Sequence, residues 1–225
     1  MFDWRGQPVP SCILIVRKKE VKMGVCDEIL KKDIVPSCDD PVVPGYEQEG
    51  VIMNRDEIDF SLTTFNATQK NVIETLAMKS SKKAYKVVVP GKTPYTGSKT
   101  SLATGTYRNT FTNLLQLVVL DHGPEVCSDI IDGLANGSYV VVLENKYKAL
   151  QKEASPGNAA FQVYGYYQGL TATTLENDKY SEDTEGGWLV NLEETKCPKS
   201  ALFYFKTDYE TTKTALETLV TTPEE

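Results

Sequence analysis

Histidine is almost missing from this 225-residue chain, and the cysteines do not compensate for it. The single histidine is His122, and the five cysteines are widely spaced, with no C-x-x-C pair among them. Zinc sites in proteins are built from closely spaced cysteine and histidine ligands. The sequence therefore predicts no metal site and no cofactor, and it favours free thiols in a reducing compartment.

Long apolar runs and an excess of basic charge are also lacking. The longest purely apolar stretches, Cys12–Val16 and Tyr139–Leu143, have five residues each, far below the ~18 residues of a membrane-spanning helix. Acidic residues outnumber basic ones by 31 to 24, a net charge of −7. Because a protein that grips nucleic acid phosphates needs a basic face, the sequence argues against both a membrane span and a nucleic-acid-binding function.

No pattern of catalytic residues surrounds the one histidine. His122 follows Asp121, and the nearest candidate nucleophiles, Cys127 and Ser128, lie inside a predicted helix. A general base needs a nucleophile and an orienting partner. Pro90–Thr93 resembles the end of a P-loop but lacks its first glycine and a following helix. We therefore expect a protein that is not an enzyme, with His122 in a structural position near a helix start.

Two acidic segments are candidates for cation binding. Asp56–Asp59 holds three carboxylates in four residues, but it lacks the ligand register and the glycine of a calcium loop, so it predicts the polar start of a strand. Glu176–Glu185 holds five carboxylates and is the better candidate for weak cation binding. A solvated acidic loop remains the simpler interpretation of both.

The first 22 residues differ in charge from the rest. Met1–Lys22 holds five basic and two acidic residues. Lys18–Met23 can be encoded by codons that contain AAGGAGG, a bacterial ribosome-binding sequence, just before an ATG codon. We expect Met23 to be the biological start, with residues 1–22 a translated leader; the alternative is an ordinary flexible arm.

Short runs rich in Val, Tyr, Phe and Thr, bounded by Gly, Pro or Asn, predict β-strands through most of the chain. Pro124–Asn136 predicts a helix with Gly137 as a left-handed cap, and Asp208–Val220 predicts a helix that begins with a capping box. We predict a mainly β (α+β) fold: a β-sandwich or partly closed barrel with one internal flanking helix and a C-terminal helix, in a single domain over residues 23–225. The predicted strands are Val51–Asn54, Ile58–Thr63, Val72–Met78, Tyr85–Val89, Thr110–Leu120, Tyr139–Asn145, Phe161–Tyr167, Trp188–Glu193 and Leu202–Lys206.

The segment Pro90–Tyr107 predicts a long loop, because it is rich in Gly, Ser, Thr and Lys and has no periodicity. A loop of this length in a compact domain is often functional or disordered. Ordering it costs about 1–2 kcal/mol of backbone entropy per residue, with few apolar side chains to offset the cost. We expect it to be mobile in an isolated subunit and ordered by a neighbouring subunit. The candidate self-assembly residues are Tyr95, Lys99, Leu102 and Tyr107.

Several short sequence segments along the chain resemble those of a known family. They include Cys38-Asp39-Asp40-Pro41, Val51–Asp59, Leu134–Gly137, Phe161–Gly165 and Gly186-Gly187-Trp188, in this order. Together they resemble structural proteins of tailed phages that infect gut Bacteroidetes, in particular the tail-tube type of virion protein. The resemblance extends from about Met23 to Val220, which also favours Met23 as the start.

The resemblance implies a subunit that forms rings of six copies, stacked into a tube through which DNA slides. Its partners would be further copies of itself and other tail proteins, with DNA only as non-specific cargo and no membrane. Its location would be the virion, assembled in the cytoplasm of the bacterial host. An acidic balance suits such a lumen, because a basic wall would hold the phosphates.

Two alternatives stay open. The first is a head-decoration or tail-completion protein, because such virion proteins have sequences of a similar kind. A β-rich binding or adhesion module for a carbohydrate or protein ligand is the other alternative. Its candidate residues are Tyr164, Tyr166, Tyr167 and Trp188.

Overall fold

The computed structural model describes residues 30–36, 41–146 and 154–221. The chain divides into two compact units, Met1–Val35 and Pro36–Glu225. In the first unit the described residues, 30–35, are exposed and have no regular secondary structure. The expected leader and the expected start at Met23 lie outside the described residues.

The described part of the second unit contains eleven strands, which form a seven-stranded sheet and a four-stranded sheet. The strands, numbered in chain order, are β1 (Tyr46–Asn54), β2 (Thr64–Phe65), β3 (Val72–Thr75), β4 (Tyr85–Val88), β5 (Lys99–Ala103), β6 (Thr110–Val119), β7 (Tyr139–Asn145), β8 (Phe161–Tyr164), β9 (Thr171–Glu176), β10 (Trp188–Cys197) and β11 (Leu202–Tyr204). The order in the larger sheet is β2-β3-β11-β8-β7-β1-β4, and in the smaller sheet β5-β6-β10-β9. Every neighbouring pair is antiparallel except β3 and β11.

Strand β7 is buried along its whole length and supplies side chains to two hydrophobic clusters. Val140 and Val142 pack in a cluster with Leu216 of the C-terminal helix. Val141 and Leu143 pack on the other face, with Leu192 of the four-stranded sheet. Because successive side chains of a strand point to opposite faces, one apolar run serves both clusters. The result confirms the predicted mainly β fold as a β-sandwich with a helix packed on its outer face.

The internal helix α1 (Pro124–Asn136) has the predicted bounds but contains a π-helical turn, Cys127–Ile131. The wider turn inserts one residue into the helix. Buried positions therefore fall at Val126 and Ile131, whereas Cys127 is exposed. Ordinary α-helical spacing predicts an apolar stripe of Cys127, Ile130, Ile131 and Leu134. Ile131 and Leu134 are buried as this predicts, whereas the prediction is wrong at Cys127 and Ile130, which are exposed.

The sequence also predicts how two helix ends are capped, namely the start of the C-terminal helix and the end of α1. The C-terminal helix α2 (Tyr209–Val220) forms where it was expected, but the capping box that Thr207–Glu210 predicts is wrong. Asp208 is the N-cap instead, and its carboxylate accepts a hydrogen bond from the Thr211 backbone N–H at 2.7 Å. The prediction for Gly137 is wrong, because its φ of −91° is extended and not left-handed. Glycine is needed there for another reason: a Cβ at Gly137 would lie 2.0 Å from the Tyr139 hydroxyl.

The strand predictions fail where side chains redirect the backbone or where the pattern is weak. Ile58–Thr63 is not a strand; Ile58 forms one bridge with Met78, and the Asp59 carboxylate then accepts the Ser61 N–H at 2.9 Å in a turn. Three strands without a strong apolar pattern, β2, β5 and β9, were not predicted. Each lies at an edge of its sheet.

Candidate functional site

The four-stranded sheet has two edges that no other strand of the described chain covers, β5 and β9. Strand β5 pairs with β6 through an unbroken five-residue register, Lys99 with Leu114 to Ala103 with Thr110. Unpaired edge strands are templates for further pairing, and proteins usually protect them with proline, bulges or inward charges. Strand β5 contains no proline and no bulge.

Three of the four candidate self-assembly residues lie on this exposed hairpin. Lys99 is exposed at the start of β5, and Leu102 keeps 57% of its surface exposed although it is apolar. Tyr107, in the connection to β6, is 98% exposed. These side chains are free to contact a neighbouring molecule.

Tyr95 has a different place from the one expected, because it belongs to the core of the subunit. It is 3% exposed, and its ring packs edge-on against Tyr46 at 6.2 Å. Its hydroxyl donates to the Gln48 carbonyl at 3.0 Å. Residues 90–107 are thus not one loop without secondary structure: Tyr95 anchors the first part and β5 forms the second. Intramolecular burial, which the sequence pattern did not reveal, supplies the energy that we expected from a neighbour.

At the opposite edge, β9 leads into the acidic connection 177–187. The Asn177 side-chain amide donates to the Gly186 and Gly187 carbonyls at 2.9 and 2.8 Å, which closes this connection into a compact loop. Tyr180 is 95% exposed on it. A cavity of about 700 Å³ lies between this loop and residues 89–96. Within the described ranges, no group of three or more His, Cys, Asp or Glu side chains is arranged to hold a metal ion.

In the other acidic segment, Asp56–Asp59, two carboxylates are engaged by neighbouring side chains and backbone groups. Glu57 forms an ion pair with Lys82 at 2.8 Å and accepts the Asn54 amide at 2.9 Å. The hydrogen bond from Lys82 is the main reason that the pKa of Glu57 is lowered. The Ser61 hydroxyl and backbone N–H lower the pKa of Asp59. Both carboxylates therefore shape the turn after β1.

The sequence analysis missed a buried carboxylate, Glu194, which is 2% exposed. Its oxygens accept the backbone N–H groups of Gly165, Tyr167 and Gln168, each at 2.9 Å. The Asn113 amide donates to the same carboxylate at 3.1 Å. These four donors satisfy the buried charge and tie β10 to the turn after β8. The signal was present: Glu194 continues the inward alternation of Val190 and Leu192, beyond the predicted strand end.

The aromatic residues of the alternative binding module do not share a surface. Tyr164 is buried between the two sheets, and Trp188 packs partly against the same cluster. Tyr166 and Tyr167 pack against the other cluster, next to the seven-stranded sheet. Tyr166 also makes an edge-on contact with Phe60, with ring centroids 5.5 Å apart. The structure therefore does not bring these four residues together as one platform.

The residues next to His122 are engaged elsewhere. His122 is exposed, and its backbone N–H donates to the Asp121 carboxylate at 2.8 Å. The Ser128 hydroxyl donates to the Glu125 carbonyl at 3.2 Å and also lies 2.7 Å from an Asp129 carboxylate oxygen. Ser128 is therefore not activated by His122 in this geometry.

A groove of about 1260 Å³ separates α2 from the outer face of β1 and β7. At its floor the Tyr209 hydroxyl donates to Glu144 at 2.5 Å, and the Tyr209 ring stacks on Phe161 at 5.6 Å. The lining contains four lysines and four glutamates, so it has no excess charge that would select an ionic ligand.

None of the protein-family models, curated proteins and solved structures that were compared with the chain matches it. Among the described residues, no helix has the length and apolar character needed to cross a membrane.

Proposed function

We propose that the chain is a non-enzymatic structural protein of a phage virion, a tail-tube subunit that assembles into stacked rings. The observation that carries this proposal is the four-stranded antiparallel sheet whose two edges, β5 and β9, both lack a strand neighbour among the described residues. A sheet of this kind can add strands on both sides, as a ring subunit must, because head-to-tail contacts use two different surfaces of each copy.

The number of strands supports repetition around a ring. In an antiparallel sheet of four strands, β5 and β9 run in opposite directions. When β5 of one copy is placed beside β9 of the next, the pair is antiparallel, and the alternation continues through every copy. An odd number of strands would instead create a parallel pair at each junction.

The dimensions suit a conduit. Six copies, the number that the resemblance implies, would contribute four strands each. A closed wall of about 24 strands spaced about 4.8 Å apart has a diameter of at least about 37 Å between backbones. Barrels of 16–18 strands already leave an aqueous channel. Four strands from each of six copies are therefore enough to enclose a wide lumen.

The face of the sheet that points away from the seven-stranded sheet would line this lumen. Gln116, Asn191 and Glu193 lie on it, alternating with the buried residues of β6 and β10. Glu176 and Lys99 lie on the same face, opposite Leu189 and Leu114. A face without basic excess allows phosphates to pass without being held.

The two ends of the sheet differ in charge, which favours stacking of rings in one direction. Residues 104–109 connect β5 to β6 at one end, and residues 177–187 connect β9 to β10 at the other, because β5 and β9 run in opposite directions. The first connection carries Arg108 and the exposed Tyr107. The second carries four carboxylates, one lysine and the exposed Tyr180.

Electron microscopy and sedimentation of the concentrated protein test the proposal. We expect rings or hollow tubes of uniform width. Arg108→Glu should shorten the tubes, because it places like charges between stacked rings, whereas Lys70→Glu is the same reversal on an exposed residue outside both ends of the four-stranded sheet and should have no effect. Protein that stays monomeric at every concentration, or tubes that are insensitive to Arg108→Glu, would contradict self-assembly or this stacking, respectively.

A further inference from the structure

We infer that neighbouring copies join through β5 of one subunit and β9 of the next, in the antiparallel register that places Lys99 opposite Glu176. The inference rests on the proposed function and specifies its subunit contact. The occupant of each free edge is a second copy of this chain.

Side-chain direction agrees with this register. Lys99 and Ser101 lie on the face that points away from the seven-stranded sheet, together with their partners Leu114 and Thr112 on β6. Glu176 and Thr174 share that face with their partners Leu189 and Asn191 on β10. Placing Lys99 opposite Glu176 also sets Ser101 opposite Thr174, so outward residues meet outward residues. A shift by one residue would oppose an inward side chain to an outward one.

The register also brings the whole of β5 against β9. In order, the five residues Lys99, Thr100, Ser101, Leu102 and Ala103 face Glu176, Leu175, Thr174, Ala172 and Thr171, with Thr173 as the extra residue. The same five residues of β9 already face Leu189–Glu193 of β10, with the register shift at the same place. The neighbour's β5 would therefore pair with β9 in the way that β10 does on its other side.

The stagger that this register requires matches a closed wall. Within one subunit, the row of directly paired residues that starts at Lys99 passes through Leu114 and Glu193 and ends at Thr171. The proposed contact pairs Lys99 of the next copy with Glu176, which belongs to the row of Leu189. Leu189 and Glu193 are four residues apart on β10, so the next copy is shifted by four residues over four strands. One residue per strand is the ratio of a barrel with eight strands and a shear of eight, whose strands tilt by about 36°. Closed barrels have tilts of about 35–45°.

Charge and burial favour this contact. Lys99 and Glu176 are both exposed and carry opposite charges. Leu102, which is 57% exposed in the subunit, would lie against Ala172 on the inward face. Cross-strand pairs of opposite charge stabilise a sheet, and like charges directly opposite destabilise it.

The edges of the seven-stranded sheet are poorer candidates. Strand β2 has only two residues. Next to β4, the Ala84 backbone N–H is already bonded to the Leu219 carbonyl of α2 at 2.7 Å. Lys86 on β4 is paired with Glu49 at 2.9 Å. Strand β4 has four residues, so both edge strands of this sheet are shorter than β5 and β9, which have five and six residues and carry complementary charges.

Disulfide capture tests the register. Opposed residues in an antiparallel pair have Cα atoms about 4.5–5.5 Å apart, within the range of a disulfide. In one subunit β5 and β9 are three strand spacings apart, about 14 Å, so a bridge must join two copies. The background has Ser in place of Cys12, Cys26, Cys38 and Cys127, and it keeps the buried Cys197.

We expect an equimolar mixture of Ser101→Cys and Thr174→Cys proteins to give a covalent dimer on oxidation. Each protein alone should give none. The matched control mixes Ser101→Cys with Thr171→Cys. Because Thr173 is the extra residue of β9, the new thiol would lie two register positions, about 7 Å, from the required one, and this mixture should not cross-link. A dimer of Ser101→Cys with itself would show β5 paired with β5 and would overturn the inference while leaving self-assembly intact.

Charge reversal provides a second readout. Lys99→Glu and Glu176→Lys should each raise the concentration needed for assembly by about fivefold, and the double variant should restore it. The control is Glu193→Lys on the inner strand β10, which should not change it. Tubes that form normally in both single variants and give no mixed cross-link would overturn this contact alone. A wild-type protein that forms neither rings nor tubes would overturn the proposed function together with the contact.

Discussion

The carboxylate of Glu194 accepts the backbone N–H of Gly165 at 2.9 Å, across the space between the two sheets. Glu194 lies on β10 of the smaller sheet, and Gly165 begins the turn after β8 of the larger one. A charge-assisted hydrogen bond in a buried site is stronger than a neutral one. The pair therefore fixes how the four-stranded sheet packs against the seven-stranded sheet.

Replacing Glu194 by Gln should lower the free energy of unfolding by about 1–3 kcal/mol, because the new NH₂ group cannot accept the N–H donors that surround it. Urea unfolding followed by circular dichroism would measure the change. Glu193→Gln, on the adjacent outward position, is the control and should cost less than about 0.5 kcal/mol. Equal losses in the two variants would contradict a special role for Glu194.

Gly165 should be among the least replaceable glycines of the described chain. Its φ is +82°, and a Cβ would lie 2.1 Å from the Tyr139 carbonyl oxygen. Gly91 also has a positive φ, +116°, but open space around it. Gly165→Ala should therefore destabilise the protein by clearly more than Gly91→Ala, which carries only a backbone cost of about 1–3 kcal/mol. Thermal unfolding of the two variants compares them, and equal shifts would contradict the steric explanation.

Alkaline pH should destabilise the fold through its buried tyrosines. Burial raises the pKa of Tyr95 and of Tyr209, and the Glu144 carboxylate raises that of Tyr209 further. A phenol whose folded pKa lies above its unfolded value of about 10 stabilises the fold fully below pH 10 and less as pH rises beyond it.

Urea unfolding at successive pH values between about 8.5 and 11 would show this loss. Tyr209→Phe removes one of the contributing phenols, so the variant should have a shallower alkaline decline than the wild type. An identical decline in the two proteins would contradict the assignment to Tyr209.

The two cysteines in the described part of the chain should differ sharply in reactivity. Cys127 is exposed, whereas Cys197 is 1% exposed. Burial, followed by the hydrogen bond with Glu194, raises the pKa of the Cys197 thiol. Because the thiolate is the reactive form, iodoacetamide at neutral pH should label Cys127 and leave Cys197 unlabelled until the protein unfolds. Peptide mass spectrometry would show it, and early labelling of Cys197 would contradict the structure.

Elements with local signals could be recognised from the amino-acid sequence. The apolar run of β7, the span of α2 and the ends of α1 could be recognised because each depends on residues that are neighbours in sequence. Lys99, Leu102 and Tyr107 are exposed in the folded chain, and their part in self-assembly stays a prediction.

Features that depend on partners far away in sequence could not be recognised before the fold was known. Tyr95 is buried because Gln48 and Tyr46 lie beside it, and a polar local sequence cannot show this. Glu194 is buried because the turn at Gly165–Gln168 presents backbone N–H groups to it. Strands β5 and β9 form because β6 and β10 offer backbone partners, while their own side chains carry a weak pattern. Hydrogen bonding across a sheet joins residues far apart in sequence, so the edges on which the proposed assembly depends became visible only in the folded chain.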